Sequence, residues 1–270
     1  MRETDRTFAG SIPDMYDSYI VPLLFEPYAA DLARRAAETS PERILETAAG
    51  TGVVTRALAP LLGAHARYVV SDLNQPMLDR AASRQAPDSR ILWRQADALS
   101  LPFEDDSFDS VVCQFGAMFF PDRIAGYRET SRVLKAGGRF LFNVWDRIED
   151  NEFAAVVTEA VGAMFPAEPP RFLARTPHGY HDLKQIERDL VAAGFSDIEC
   201  VTLQERSTAP SARQAALAYC EGTPLRGEIE ARDPARLEEA TARATEAIAA
   251  AFGRGTVSGK IQAHVIVARA

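Results

Sequence analysis

From Arg43 onward, short runs rich in β-branched and aromatic residues alternate with amphipathic stretches, the rhythm of strand–helix–strand units whose strands lie parallel. RIL opens a first strand at Arg43, and RYVVSD predicts a second ending near Asp72. ILWRQ predicts a third before Asp97, FDSVVCQF a fourth ending near Phe115 and RFLFNVW a fifth ending at Trp145. Between them, residues 53–62, 75–84 and 123–133 carry helical periodicity, and the Gly137–Gly138 pair is expected to stop the last of these helices. Five parallel strands with short connections imply a doubly wound sheet.

Beyond Trp145 the alternation fails. Residues 152–165 predict a helix, after which Pro166, Pro169, Pro170 and Pro177 mark a loop-rich insertion. Asp182 is placed to N-cap a helix over 183–193, with Gly194 as its C′ residue, and SDIECVTLQE then predicts a sixth strand. Asp233 and Pro234 open an Ala-rich helix that runs to Phe252, and IQAHVIVARA alternates like a final strand.

The formal charge narrows the chemistry. Thirty Lys and Arg against 38 Asp and Glu give −8, and with no basic run this argues against nucleic acid as a partner. No apolar stretch reaches the roughly 18 residues of a membrane span, and the polar start MRETDRTFAG lacks the apolar segment of a signal peptide. A cytoplasmic protein is the expectation. Cys113, Cys200 and Cys220 are odd in number and far apart, so they are expected to be reduced, small core residues, neither a disulfide framework nor a zinc cluster.

The candidate chemistry begins where the first strand runs through Glu46, Thr47, Ala48, Ala49, Gly50, Thr51 and Gly52 straight into a helix. A sharp turn and a ligand close to a helix N-terminus both call for residues without bulk. A dinucleotide loop G-x-G-x-x-G would need glycine at 48, 50 and 53, and Ala48 and Val53 fail it. The spacing E-x-G-x-G-x-G fails only at Ala48. It resembles the cofactor loop of class I S-adenosylmethionine-dependent methyltransferases, in particular the small-molecule enzymes of ubiquinone and menaquinone biosynthesis. LPFEDDSFDSVVCQFGAMFF and RVLKAGGRFLF also resemble that family's segments around the fourth and fifth strands.

The resemblance implies a Rossmann-like, doubly wound α/β sheet of seven strands, mostly parallel, with an antiparallel last strand inserted between the fifth and sixth. It implies one methyltransferase domain, with a core over 40–146, 182–206 and 256–270 and helical lid insertions over 1–39, 147–181 and 207–255. S-adenosyl-L-methionine is the implied cofactor, held by Glu46, Ala48, Gly50 and Gly52 of the loop. Asp72 would take the ribose hydroxyls with Leu73 beside it, Asp97 with Ala98 would meet adenine, and Gln114 would face the cofactor from the fourth strand. Tyr16 would cover it from the N-terminal segment; for Tyr16 and Tyr19, simple packing is the competing reading.

The acceptor side is less legible. Phe115, Met118, Phe119 and Phe120 follow the fourth strand, as core or as a wall of the acceptor site. His178, His181 and Asp146 are candidate bases, with a role at the helix entrance competing at His181. No acidic or thiol cluster joins the two histidines, so no metal is expected. The acidic or amide residue, two prolines and an aromatic that orient a planar amine in nucleic-acid and glutamine methyltransferases are absent. The expected partner is a small-molecule methyl acceptor offering an O, N or C nucleophile, and a homodimer is compatible with the sequence. Two alternatives stay open: an aminopropyl transferase of the same fold, and a protein that binds S-adenosylmethionine without turnover.

Overall fold

The computed structural model describes residues 12–270. The polar start and the first eleven residues of the expected lid lie outside the described residues. One sheet holds seven strands: β1 Arg43–Glu46, β2 Arg67–Asp72, β3 Ile91–Gln95, β4 Phe108–Gln114, β5 Leu134–Trp145, β6 Ser196–Ala209 and β7 Val257–Arg269. They are ordered β3-β2-β1-β4-β5-β7-β6. β1 to β5 pair in parallel, with Leu45 opposite both Val69 and Val111. β7 runs the other way: the Gly137 N–H donates to the Ala270 carbonyl at one end of β5, and the Asp146 N–H donates to the Gln262 carbonyl at the other. The antiparallel last strand and its insertion between β5 and β6 therefore match the expectation.

The central strands are apolar without alternation because both faces are covered: Ile44, Leu45, Val111 and Val112 are fully buried. β6 at the sheet edge is exposed along most of its length.

Several boundaries differ from the sequence reading. β5 starts at Leu134, not Arg139, and the helix before it ends at Val133 without help from the glycine pair. Gly137 instead adopts φ +74° inside the strand, where the pairing between β4 and β5 slips between Phe108 and Ser110. The glycine serves a bulge. The helix expected over 53–62 is α-helical only over Val53–Leu58 and tightens into a 3₁₀ turn at Ala59–Leu61, since Pro60 has no N–H to donate four residues back. The helix after β5 stops at Gly162, three residues early. Cys113 and Cys220 are buried as expected, but Cys200 on the β6 edge is exposed.

The backbone falls into two compact units. One comprises residues 26–144, 181–203 and 263–270; the other comprises 12–25, 145–180 and 204–262. In the first, Tyr127 of the helix Arg123–Val133 sits against Phe140 and Phe142 of β5, and Phe195 packs 5.6 Å from Phe140. In the second, the helices Glu152–Gly162, Ala212–Glu221 and Leu237–Phe252 pack on one another through small buried residues, among them Ala215, Ala216, Ala240 and Ala244. The same unit holds a ten-residue π-helix, Tyr16–Phe25, with Pro22 inside it.

Candidate active site

In a sheet of this order the connections diverge between β1 and β4, and ligands bind beyond the strand carboxyl ends at that switch point. The loop after β1 is built for close approach. Ala48, Gly50 and Gly52 all take left-handed backbone, at φ +51°, +56° and +77°. A Cβ on Gly52 would lie 2.9 Å from Ala81 Cβ, so the loop is pressed onto the helix Gln75–Arg84. Ala48 bears the strain that glycine would avoid. Its methyl has a matching vacancy: a Cβ on Gly116 would lie 2.5 Å from it.

Asp72 at the end of β2 locks this loop. Its Oδ2 accepts the Gly50 N–H at 2.8 Å and its Oδ1 the Asn74 N–H at 2.8 Å. Burial raises its pKa, and those two backbone donors partly offset the rise. A carboxylate can accept about four hydrogen bonds; Oδ1 also accepts from Asn74 Nδ2 at 3.4 Å, so the capacity left for a ligand hydroxyl lies on Oδ2. Leu73 beside it is 39% exposed, an apolar surface at the strand end.

Glu46 is placed differently. Its carboxylate is buried, with Oε2 accepting from Thr55 Oγ1 at 2.7 Å and from the Tyr68 hydroxyl, and burial pushes its pKa up to about 7. It braces β1 against β2 and the loop helix.

Asp97 is half-buried and caps its own turn, Oδ1 accepting the Leu99 N–H at 2.9 Å; Ala98 lies within that turn. Gln114 is half-buried at the end of β4. Phe115 follows it in left-handed backbone at φ +49°, an unusual conformation for a bulky residue. Asn143 of β5 holds that turn: its Oδ1 accepts the Phe115 N–H at 2.9 Å, and its Nδ2 donates to Gln114 Oε1 at 3.4 Å. Met118 and Phe120 are buried and Phe119 is half-buried.

Glu46, Ala48, Gly50, Gly52, Asp72, Leu73, Asp97, Ala98 and Gln114 thus all lie in one unit, at adjoining strand ends. Tyr16 belongs to the other unit, where its ring packs 5.4 Å from Phe25; Tyr19 is half-buried there. Asp146 and His178 also belong to that unit. The Asp146 carboxylate accepts from Gln262 Nε2 at 2.7 Å and from the Arg147 N–H at 2.7 Å, while its carbonyl accepts from His178 Nδ1 at 2.8 Å. A carbonyl can only accept, so His178 carries its proton on Nδ1. His181 stands half-buried before Asp182, whose side chain caps the next helix through the Lys184 N–H. Among the described residues no three His, Cys, Asp or Glu side chains gather as metal ligands would.

Sequence reasoning passed over Asn143, Tyr68, Thr55 and Thr51. Asn143 had a signal, being the one polar residue in the apolar run FLFNVW. Tyr68 and Thr55 are recognised only through their bonds to Glu46, and Thr51 only through the burial of its hydroxyl.

These strand ends, with a small-residue loop at the switch point and a carboxylate locked to it from the next strand, define an α/β protein that binds a nucleoside-bearing cofactor. Comparison with known proteins narrows this. A methyltransferase-domain family profile matches residues 45–142. The demethylmenaquinone methyltransferase of Clavibacter sepedonicus is 34% identical over 198 residues, covering 68% of this chain and 80% of that protein. The ubiquinone/menaquinone biosynthesis C-methyltransferase UbiE of Pseudomonas aeruginosa is 29% identical over 171 residues, 59% of this chain and 67% of that one. In fold, the phosphoethanolamine N-methyltransferase 2 of Haemonchus contortus, solved with phosphomonomethylethanolamine and S-adenosylhomocysteine, superimposes with a TM-score of 0.60 at 19% identity, covering 98% of this chain and 59% of that one. The chain belongs to the class I S-adenosylmethionine-dependent methyltransferases, and S-adenosylmethionine is its cofactor.

The residues present fit that group. Among the described residues Thr51 Oγ1 in the loop is buried without a hydrogen-bond partner, and Asp72 Oδ2, which takes one backbone N–H, has acceptor capacity for a ribose hydroxyl. No helix among the described residues is long and apolar enough to cross a membrane.

Proposed function

We propose that this methyltransferase alkylates a small, partly apolar metabolite, with an electron-rich ring carbon the first choice among C, O and N nucleophiles. The observation that carries the reading is the bond from the Gly50 N–H to Asp72, which preforms a loop for the cofactor. The choice of acceptor is supported by the C-methyltransferase and demethylmenaquinone methyltransferase relatives and by the apolar Met118, Phe119 and Phe120 after β4.

When bound, S-adenosylmethionine supplies a methyl group on a sulfonium, already a good leaving group. The protein's contribution is then mainly orientation, up to about 7 to 11 kcal/mol. Of the three candidate bases, His178 alone has a proton fixed on Nδ1 by a carbonyl, which leaves Nε2 as the basic nitrogen. His181 is assigned to the helix entrance and Asp146 to anchoring. Acceptor selectivity is assigned to the segments 147–181 and 207–255, which carry no part of the cofactor pattern.

The test uses methyl-labelled S-adenosylmethionine with a naphthoquinol that lacks its ring methyl, followed by mass spectrometry and NMR of the product. Label on a ring carbon with stoichiometric S-adenosylhomocysteine is expected. Label on oxygen, or turnover only with other acceptors, would remove the ring-carbon choice, and binding without turnover on any acceptor would favour a pure binder.

A further inference from the structure

We propose that Asn143 is a positioning residue: it sets the polarity of the Gln114 amide so that this side chain meets the cofactor as a donor, toward the carboxylate of its methionyl tail. The inference rests on the strand ends of β1 to β4 being the cofactor site.

The polarity follows from a chain of donors that allows one arrangement. The Phe115 N–H can only donate, so the Asn143 atom facing it at 2.9 Å is the carbonyl oxygen Oδ1. The other end of the Asn143 amide is then Nδ2, which can only donate. Its partner at 3.4 Å is therefore the oxygen of Gln114, which turns the Gln114 NH₂ the opposite way. Asn143 is fully buried and tied into β5, so its amide has no room to exchange ends with solvent, whereas Gln114 is half-buried. The Phe115 turn adds a second constraint: the same N–H also donates to the Asn143 main-chain carbonyl at 3.1 Å, which fixes the register at which Gln114 leaves the strand.

The remaining strand ends show what such a donor is for. Asp97 after β3 and Asp72 on β2 are carboxylates, groups that accept, while Glu46 on β1 is taken up by Thr55 and Tyr68. The two aspartates suit an amine and hydroxyls, the donors of an adenosine. Passing to β4, the polarity reverses at Gln114. A ligand laid across these ends in that order brings its methionyl tail to β4, and the acceptor that tail carries is its carboxylate. A charged acceptor makes such a bond roughly twice as strong as a neutral one.

The test is calorimetric and needs no turnover. The probes are S-adenosylhomocysteine and its decarboxylated analogue, each titrated into the full chain. Asn143→Asp cannot donate to Gln114 and lets its amide turn around, and Gln114→Leu removes the donor. Each is expected to weaken S-adenosylhomocysteine about tenfold and the decarboxylated analogue less than about twofold. Gln114→Glu should weaken S-adenosylhomocysteine further, through repulsion between like charges. Adding Asn143→Asp to Gln114→Leu should cost nothing more, because the two residues act as one unit.

Equal weakening of both probes, or an unchanged S-adenosylhomocysteine affinity in Gln114→Leu, would overturn the assignment. Should Asn143→Asp fail to fold, the two Gln114 variants decide between these outcomes. Wild-type chain that binds neither probe would overturn the cofactor-site reading itself, a result distinct from loss of discrimination between the probes.

Discussion

The unit of residues 26–144, 181–203 and 263–270 and the unit of 12–25, 145–180 and 204–262 spend their polar side chains differently. In the first, strained and buried groups converge on strand ends: Ala48 and Phe115 are left-handed, Asp72 and Glu46 are buried carboxylates, and Asp72, Glu46 and the Phe115 N–H are each held by a named partner. In the second, polar groups tie chain to chain. Glu228 accepts the N–H groups of Arg171 and Phe172 and pairs with Arg175 at 2.9 Å, while Arg232 donates to the carbonyls of Glu168 and Glu228. Asn151 does the same for residues 146, 147 and 262. Strain gathers at the strand ends where the cofactor is proposed to bind, whereas backbone networks replace regular structure in a Pro-interrupted segment.

The largest expected effect is a pH dependence belonging to the first unit. The Glu46 carboxyl titrates at 4.5 when unfolded and about 7 when folded, so its contribution to stability is complete below 4.5 and is lost as pH rises through 7. Between those limits wild type should lose about 3 kcal/mol relative to Glu46→Gln, which carries no charge. Urea unfolding of the two proteins at pH 5 and pH 8 checks it; Asp72 is present in both, so its own raised pKa cancels.

Glu228→Ala in the second unit should cost about 2 to 3 kcal/mol of stability, by leaving two N–H groups and Arg175 without their carboxylate, and should not change S-adenosylhomocysteine affinity. Thermal unfolding and calorimetry together test the contrast, and a large affinity loss would erase it. Asp72→Ala is expected to reverse the pattern, weakening S-adenosylhomocysteine by about 2 kcal/mol through loss of a charged acceptor. Loss at Asp97→Ala should be smaller, since water can partly replace one bond to adenine. Smallest is Ala48→Gly, which relieves a left-handed alanine and should raise stability by about 0.5 to 1 kcal/mol in denaturant melts.

How much of this could be read in advance depended on whether the cause was local. The helices Gln75–Arg84 and Arg123–Val133 and the strand Ile91–Gln95 appear at the expected residues because periodicity and caps sit inside each segment. The loop from Glu46 to Gly52 was legible for the same reason. Gly137 was misread because a glycine that ends a helix and one that makes a bulge look alike without the partner strand. The helix Ala212–Glu221 leaves little sequence signal because its Ala-rich run shows little contrast between faces, and the six-residue helix Leu225–Glu230 is too short to show a period. The partnership of Asn143 with Phe115 spans 28 residues, and Tyr68 reaches Glu46 across 22, so neither leaves a local pattern.

The β6 edge has a consequence for the purified protein in bulk. A long strand with one side unpaired invites another chain to add to it, and a flat apolar edge would do so readily. Here Asp197, Glu199, Glu205 and Arg206 stand exposed along that strand, beside Val201 at 40% exposure. They act as gatekeepers, so colloidal behaviour rests on charges that take no part in catalysis. Replacing the three carboxylates by neutral side chains removes that protection and leaves strand addition unopposed.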